Sequence, residues 1–205
     1  VRMEFQLHQG DLPPDFVADG PVALDTETMG LQPHRDRLCL VQLAKANGEI
    51  HLVRFADRNY AAPRLSALLA DPTVLKIFHF ARFDVAVLRH FLGVAVAPLW
   101  CTKIASKLVR TYTDRHGLKD LSRELLGVEL QKQEQSSDWG NDQLSEAQLR
   151  YAASDVLHLH RLKERLEAML RREGRLHLAQ ACFGFLPTRA ELDLAGFAEQ
   201  DILAH

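Results

Sequence analysis

Val22-Ala23-Leu24-Asp25-Thr26-Glu27 constrains this chain more than any other stretch. Three apolar residues read as a short strand passing through a buried sheet, and two carboxylates follow with one residue between them. Side chains alternate faces along a strand, so Asp25 and Glu27 are expected on the same face. Two like charges that close repel, and burial worsens the repulsion unless a cation lies between them. The spacing therefore points to a divalent metal, against the plainer reading of a strand that runs out into an acidic turn.

Two further acidic positions bear on that choice. Asp84 follows the apolar run Val74-Leu75-Lys76-Ile77-Phe78 and the segment His79-Phe80-Ala81-Arg82-Phe83. It is expected in the first turn of a helix, a place where Asp is common for dipole reasons alone. In mixed sheets, however, ligand sites gather at strand ends. Asp155 lies four residues after Tyr151, so the two share one helix face. Ala152 and Ala153 beside them permit close approach to a sheet. Together, Asp25, Glu27, Asp84 and Asp155 supply an all-oxygen ligand set for two divalent cations, Mg²⁺ or Mn²⁺. Two such ions about 3.5–4 Å apart are the usual clamp for phosphodiester hydrolysis. Tyr151, with an ordinary pKa near 10, is a poor base and is expected to orient the attacking water.

The remaining pattern is that of an α/β domain. Strands are expected over 21–27, 38–44 and 50–53, the last two joined by the hairpin signal Asn47-Gly48. A short helix is expected over 63–69, a strand over 74–78 and a helix over 82–92. One more strand is expected from 94–96 and the region of Trp100. Helices follow over 102–109 and 118–126, the second stopped by Gly127. Ser145 and Gln148 form a capping box that opens one long helix to about residue 172. The last thirty residues place apolar side chains among turns. Residues 1–175 are expected as the main domain, with 176–205 an extension packed on it or at a subunit interface.

The 205 residues carry a formal charge of −2, against the basic excess expected of a protein that coats long nucleic acid. The three cysteines, Cys39, Cys101 and Cys182, form no CxxC pair and suit a reducing cytoplasm. No apolar run is long enough to span a membrane, and the stretch from Val1 to Phe5 has no signal-peptide character.

Asp25-Thr26-Glu27, Phe83-Asp84 and Tyr151-Ala152-Ala153-Ser154-Asp155 resemble the three motifs of the DEDDy 3′–5′ exonucleases, the ribonuclease D-like branch of the ribonuclease H-like fold. His116-Gly117-Leu118-Lys119-Asp120-Leu121 and Gln135-Ser136-Ser137-Asp138-Trp139 are also similar to that branch. The stretches 31–39, 101–108 and 110–116, with the tail, resemble its alphaproteobacterial oligoribonucleases. The resemblance implies a mixed sheet flanked by helices, a DEDD exonuclease domain, and catalysis by Asp25, Glu27, Asp84, Tyr151 and Asp155. It implies cleavage of short RNA, 5′-phosphorylated dinucleotides above all, with short DNA as a further substrate, and assembly as a homo-octamer. Ribonuclease D carries further helical domains after its nuclease; about thirty residues follow here, which favours a short substrate.

Leu31 is by this resemblance a wedge between two bases, and Thr26 and Met29 are expected near the terminal nucleotide. His79 is expected to contact a hydroxyl or phosphate, and Phe80 to stack on a base or to pack in the core. Arg110, Tyr112, Arg115, His116 and Lys119 form a basic, aromatic-bearing cluster suited to a substrate phosphate. Two competing functions are a broader exonuclease on longer RNA or DNA and a catalytically dead binding module. The second has no reason to keep mutually repelling acids.

Overall fold

The computed structural model describes residues 3–131 and 133–205. Val1 and Arg2, part of the stretch from Val1 to Phe5, and Lys132 lie outside the described residues. Among the described residues, the carboxylate strand, β2 (Val22–Thr28), sits inside a six-stranded mixed sheet in the order β1 (Gln6–Gln9), β4 (Ile50–Arg54), β3 (Leu38–Ala44), β2, β5 (Lys76–Phe78), β6 (Leu99–Cys101). β2, β3 (Leu38–Ala44) and β4 (Ile50–Arg54) form the expected antiparallel meander, turned at Asn47-Gly48, where Gly48 takes a φ of 95°. β5 (Lys76–Phe78) runs parallel to β2, and β6 (Leu99–Cys101) parallel to β5. On the far edge, β1 (Gln6–Gln9) adds parallel to β4. Every residue of β3 is buried, which requires cover on both faces of the sheet.

Among the described residues, seven α-helices provide the cover: α1 (Pro63–Ala70), α2 (Ala81–Leu92), α3 (Thr102–Val109), α4 (Leu118–Leu126), α5 (Glu146–Leu157), α6 (Leu159–Arg172) and α7 (Leu176–Leu192). α1 begins with Pro63, whose missing N–H is harmless in a first turn. α4 ends on Gly127 in the left-handed region, φ 67°. Ser145 and Gln148 close both arms of the capping box on α5. α5 lies across β2, β3 and β4, which brings its acidic face onto the carboxylate strand.

Three expectations need correction. The long helix over 145–172 is two helices, because His158 leaves helical geometry at φ −113°, ψ 2°. The apolar spacing runs on through Leu159, Leu162, Leu166 and Leu170, but the halves serve different partners: α5 the sheet, α6 mainly α3 and α4. The tail is no set of turns either. α7 runs seventeen residues through Gly184 and Pro187. Its inward residues Ala179, Phe183, Leu186 and Ala190 pack toward α2 and β6, and this burial overrides two helix breakers. Phe183 meets the Trp100 ring at 5.0 Å, and Arg82 of α2 makes a bidentate pair with Asp193 at 2.7 and 2.8 Å. Finally, Val94–Val96 is not a strand; the ladder begins only at Leu99, past Pro98, which has no N–H to donate.

Candidate active site

The register of β2 sets the site. Asp25 and Glu27 face α5, where Asp155 projects, and one oxygen of each of the three carboxylates lies within 4.8 Å of the others. Thr26, on the opposite face, turns toward α2 and donates its hydroxyl to Asp84 Oδ1 at 2.6 Å. Asp84 is buried in the first turn of α2, close enough to Asp25 and Asp155 to raise its own pKa through their charges. The four acids, spread over 131 positions of sequence, meet at the end of one strand.

Their electrostatics fit a cation site. Burial pushes the Asp25 carboxyl up to about 6, opposed by the Thr26 N–H that it accepts at 2.9 Å. Burial, then the charge of Asp25, holds Asp84 and Asp155 well above the usual carboxylate range. Burial and the charges of Asp25, Asp155 and Asp84 do the same to Glu27, against one hydrogen bond from Gln42 Nε2 at 3.1 Å. Acids this crowded need protons or cations between them. The donor set is all oxygen, as Mg²⁺ and Mn²⁺ prefer. Tyr151 shares the site, with its ring 6.1 Å from that of buried Trp139. Burial and the charges of Asp155, Glu27 and Asp25 push its hydroxyl further above its ordinary value. It therefore keeps its proton.

A cleft of about 260 Å³ opens beside the acids, lined by Asp25, Asp155, Tyr151, His79, Phe80 and Lys119 among others. His79 Nδ1 and the Thr102 hydroxyl lie 2.8 Å apart, and burial pulls the imidazole down to about 3, so it is neutral. The Phe80 ring is 46% exposed rather than core. Leu31 is 81% exposed at the tip of the turn after β2, and Met29 beside it packs over Gly140. His116 sits near the cleft with Nδ1 2.8 Å from Ser106 Oγ, and Arg115 is exposed in the same loop.

Three residues take other parts than the sequence suggests. Arg110 is 2% exposed; its guanidinium pairs with Glu124, bonds Ser106 Oγ at 2.9 Å and the Arg115 carbonyl at 2.7 Å. It braces the basic loop from within and presents no charge to a phosphate. Tyr112, though exposed, gives its hydroxyl to the same Glu124. Thr26 is likewise buried, and its hydroxyl is used on Asp84. Gln42, absent from the motifs, lies opposite Asp25 in the ladder. A lone amide in an otherwise apolar strand was the available signal. Lys103 also lines the cleft.

Residues 12–171 match the model of a 3′–5′ exonuclease family. The chain belongs to that family. The chain is similar over 99% or more of its length to solved NrnC structures from Brucella melitensis. One, bound to pGG, is 56% identical with a TM-score of 0.95, and all of both chains is covered. Another, with bound Mg²⁺, is 55% identical with a TM-score of 0.93, covering 99% of this chain and 100% of that one. Ribonuclease D from Gluconacetobacter diazotrophicus is 39% identical over 155 residues, 76% of this chain. The chain spans only about two fifths of that relative's length, 39%. These likenesses put the exonuclease in the ribonuclease D-like branch of the DEDD enzymes, with the expected mixed α/β sheet flanked by helices. Among the described residues, no helix is long and apolar enough to cross a membrane.

Proposed function

We propose that the protein is a divalent-metal-dependent 3′–5′ exoribonuclease that hydrolyses short oligoribonucleotides, dinucleotides above all, to nucleoside 5′-monophosphates. One observation carries the reading: Asp25, Glu27 and Asp155 converge within 4.8 Å, with Asp84 anchored beside them by Thr26. In this reading Asp25, Glu27, Asp84 and Asp155 hold two cations, Mg²⁺ or Mn²⁺. When bound, such ions offset the charge of the phosphodiester and supply the hydrolytic water. The water oxygen adds to phosphorus, the bond from phosphorus to the leaving 3′ oxygen breaks, and that oxygen takes up a proton. Tyr151, protonated throughout, orients the water by hydrogen bonding.

Leu31 and Met29 expose apolar surface in the turn that follows the carboxylate strand, His79, Phe80 and Lys119 line the cleft, and Arg115 and His116 precede Gly117, which also lines it. This supports a substrate held by its terminal nucleotides. The NrnC structure with pGG, two guanine nucleotides behind a 5′ phosphate, supports the short length. The net charge of −2 agrees, since a long strand needs a basic track.

Residues 1–175 act as the exonuclease domain and 176–205 as an extension that serves assembly. Inward, α7 packs on the domain. Outward, Leu178, Ala181, Cys182 and Phe185 form a second apolar stripe at helical spacing, all exposed. A helix apolar on two sides is ordinarily covered on both. A homo-octamer would cover this one. Three free thiols fit a cytoplasmic setting.

The test is turnover of 5′-phosphorylated RNA of two, seven and twenty nucleotides, with Mg²⁺ and with chelator. The dinucleotide should turn over fastest, and chelator should stop the reaction. Equal rates on all three lengths would replace this reading with a broader exonuclease on longer RNA or DNA.

A further inference from the structure

The turn from β5 into α2 is held from one side by three consecutive residues. Cys101 Sγ accepts the Ala81 N–H at 3.4 Å. The Thr102 hydroxyl lies 2.8 Å from His79 Nδ1 and donates to the Phe78 carbonyl at 3.2 Å. Lys103 Nζ stands 4.5 Å from the centre of the Phe80 ring. Within this clamp Phe80 takes φ 62°, ψ 55°, and among the described residues it is the only non-glycine with positive φ.

That conformation is unfavourable for a residue with a side chain, most of all a bulky one. It persists only where the surroundings impose it. It brings no burial in return. Phe78, two residues earlier, is fully buried, whereas the Phe80 ring stays 46% exposed and lines the cleft with Asp25 and Asp155. Folding alone does not explain a strained backbone that keeps a large apolar ring in water beside four acids. The Lys103 ammonium lies over the ring as cations do over aromatic faces. The remaining surface opens to the cleft.

We propose that Phe80 is the nucleobase-stacking platform of the cleft, set in place by the Cys101-Thr102-Lys103 clamp and backed by the Lys103 ammonium. The inference rests on the exonuclease reading and deepens it by naming what grips a base. Every base has a π-face, so stacking tolerates all sequences, as an enzyme that clears mixed short RNA requires. Cys101 and Thr102 act through Phe80 and are positioning residues.

The experiment uses a 5′-phosphorylated RNA dinucleotide with a non-cleavable phosphonate link and 2-aminopurine as either base, titrated with the full chain in Mg²⁺. One of the two labels should be quenched on binding. Phe80→Leu should abolish that quench and weaken binding by roughly 10-fold to 100-fold, the range typical of one stacked base. Phe80→Gly should lose the same affinity yet melt at a higher temperature than wild type, because glycine adopts this φ without strain. Thr102→Val should give an intermediate loss that Thr102→Ser restores. Unchanged quench and affinity in folded Phe80→Leu would overturn the platform and leave the exonuclease reading standing. Failure of the folded wild type to bind or cleave the dinucleotide would overturn both.

Discussion

Replacing Asp25 by Asn should make the metal-free protein more stable while destroying its activity. The magnitude comes from the site. The Asp25 carboxyl, ordinarily near 3.8, ionises only at about 6 in the fold, chiefly because it is buried. One pH unit corresponds to roughly 1.4 kcal/mol, so the charged form costs about 3 kcal/mol more in the folded than in the unfolded chain. The sign follows from proton binding. Between pH 4 and pH 6 the folded carboxyl holds a proton that the unfolded one has released. Stability due to this group is therefore complete below pH 3.8 and declines as pH rises through about 6. Asn keeps the shape and can still accept the Thr26 N–H, but it carries no charge. In chelator at pH 8 the variant should gain about 3 kcal/mol, or roughly 6–12 °C in Tm for a chain of this size. The gain should vanish at pH 3.5. Saturating Mg²⁺ should shrink or reverse it, since the cation stabilises the wild type by binding to its folded form. Thermal melts by circular dichroism at both pH values, with and without Mg²⁺, measure all three. An Asn variant no more stable than wild type at pH 8 in chelator would refute the claim that these acids strain the fold for function.

Four further outcomes follow from the same geometry. Thr26→Val removes the donor to Asp84 and should weaken Mg²⁺ binding by roughly 10-fold to 100-fold, read by calorimetric titration, as loss of a hydrogen bond to a metal-site residue commonly does. Tyr151→Phe should lower kcat with little change in Mg²⁺ affinity, and the alkaline limb of the pH profile should not move, because the phenol never ionises in the working range. Arg110→Met should lower Tm, at a cost of about 1–3 kcal/mol, because it leaves Ser106 Oγ, the Arg115 carbonyl and the more exposed Glu124 without their buried donor, whereas a phosphate ligand would raise KM at unchanged Tm. Phe185→Glu on the outer stripe of α7 should reduce the mass of the assembly in light scattering, and an unchanged mass would exclude that face from the interface.

What was legible in the sequence was local. Asp25 and Glu27 declare a shared face because strand geometry has a fixed period, and Asn47-Gly48 and the Ser145–Gln148 box each lie within a few residues of what they determine. The convergence of Asp84 and Asp155 on that strand is legible only through the family's motif order, since no spacing rule links residues 59 and 130 positions beyond Asp25. Features set by distant partners stayed hidden. Arg110 looked like an exposed cation because its acceptor, Glu124, belongs to the next helix. α7 looked like turns because Gly184 and Pro187 argue against a helix, and only packing against α2 and β6 overrules them. Phe80 was evenly poised between core and cleft; its left-handed backbone, which keeps the ring out of the core, has no signature in composition or periodicity.

The proposed chemistry depends most on four acids acting as one cation site. Anomalous diffraction from crystals grown with Mn²⁺ and an uncleavable 5′-phosphorylated dinucleotide tests this directly. Two Mn²⁺ peaks are expected, ligated between them by Asp25, Glu27, Asp84 and Asp155, with the bridging phosphate against both. Manganese absent from this cluster, or a bound phosphate lying away from it, would contradict the account.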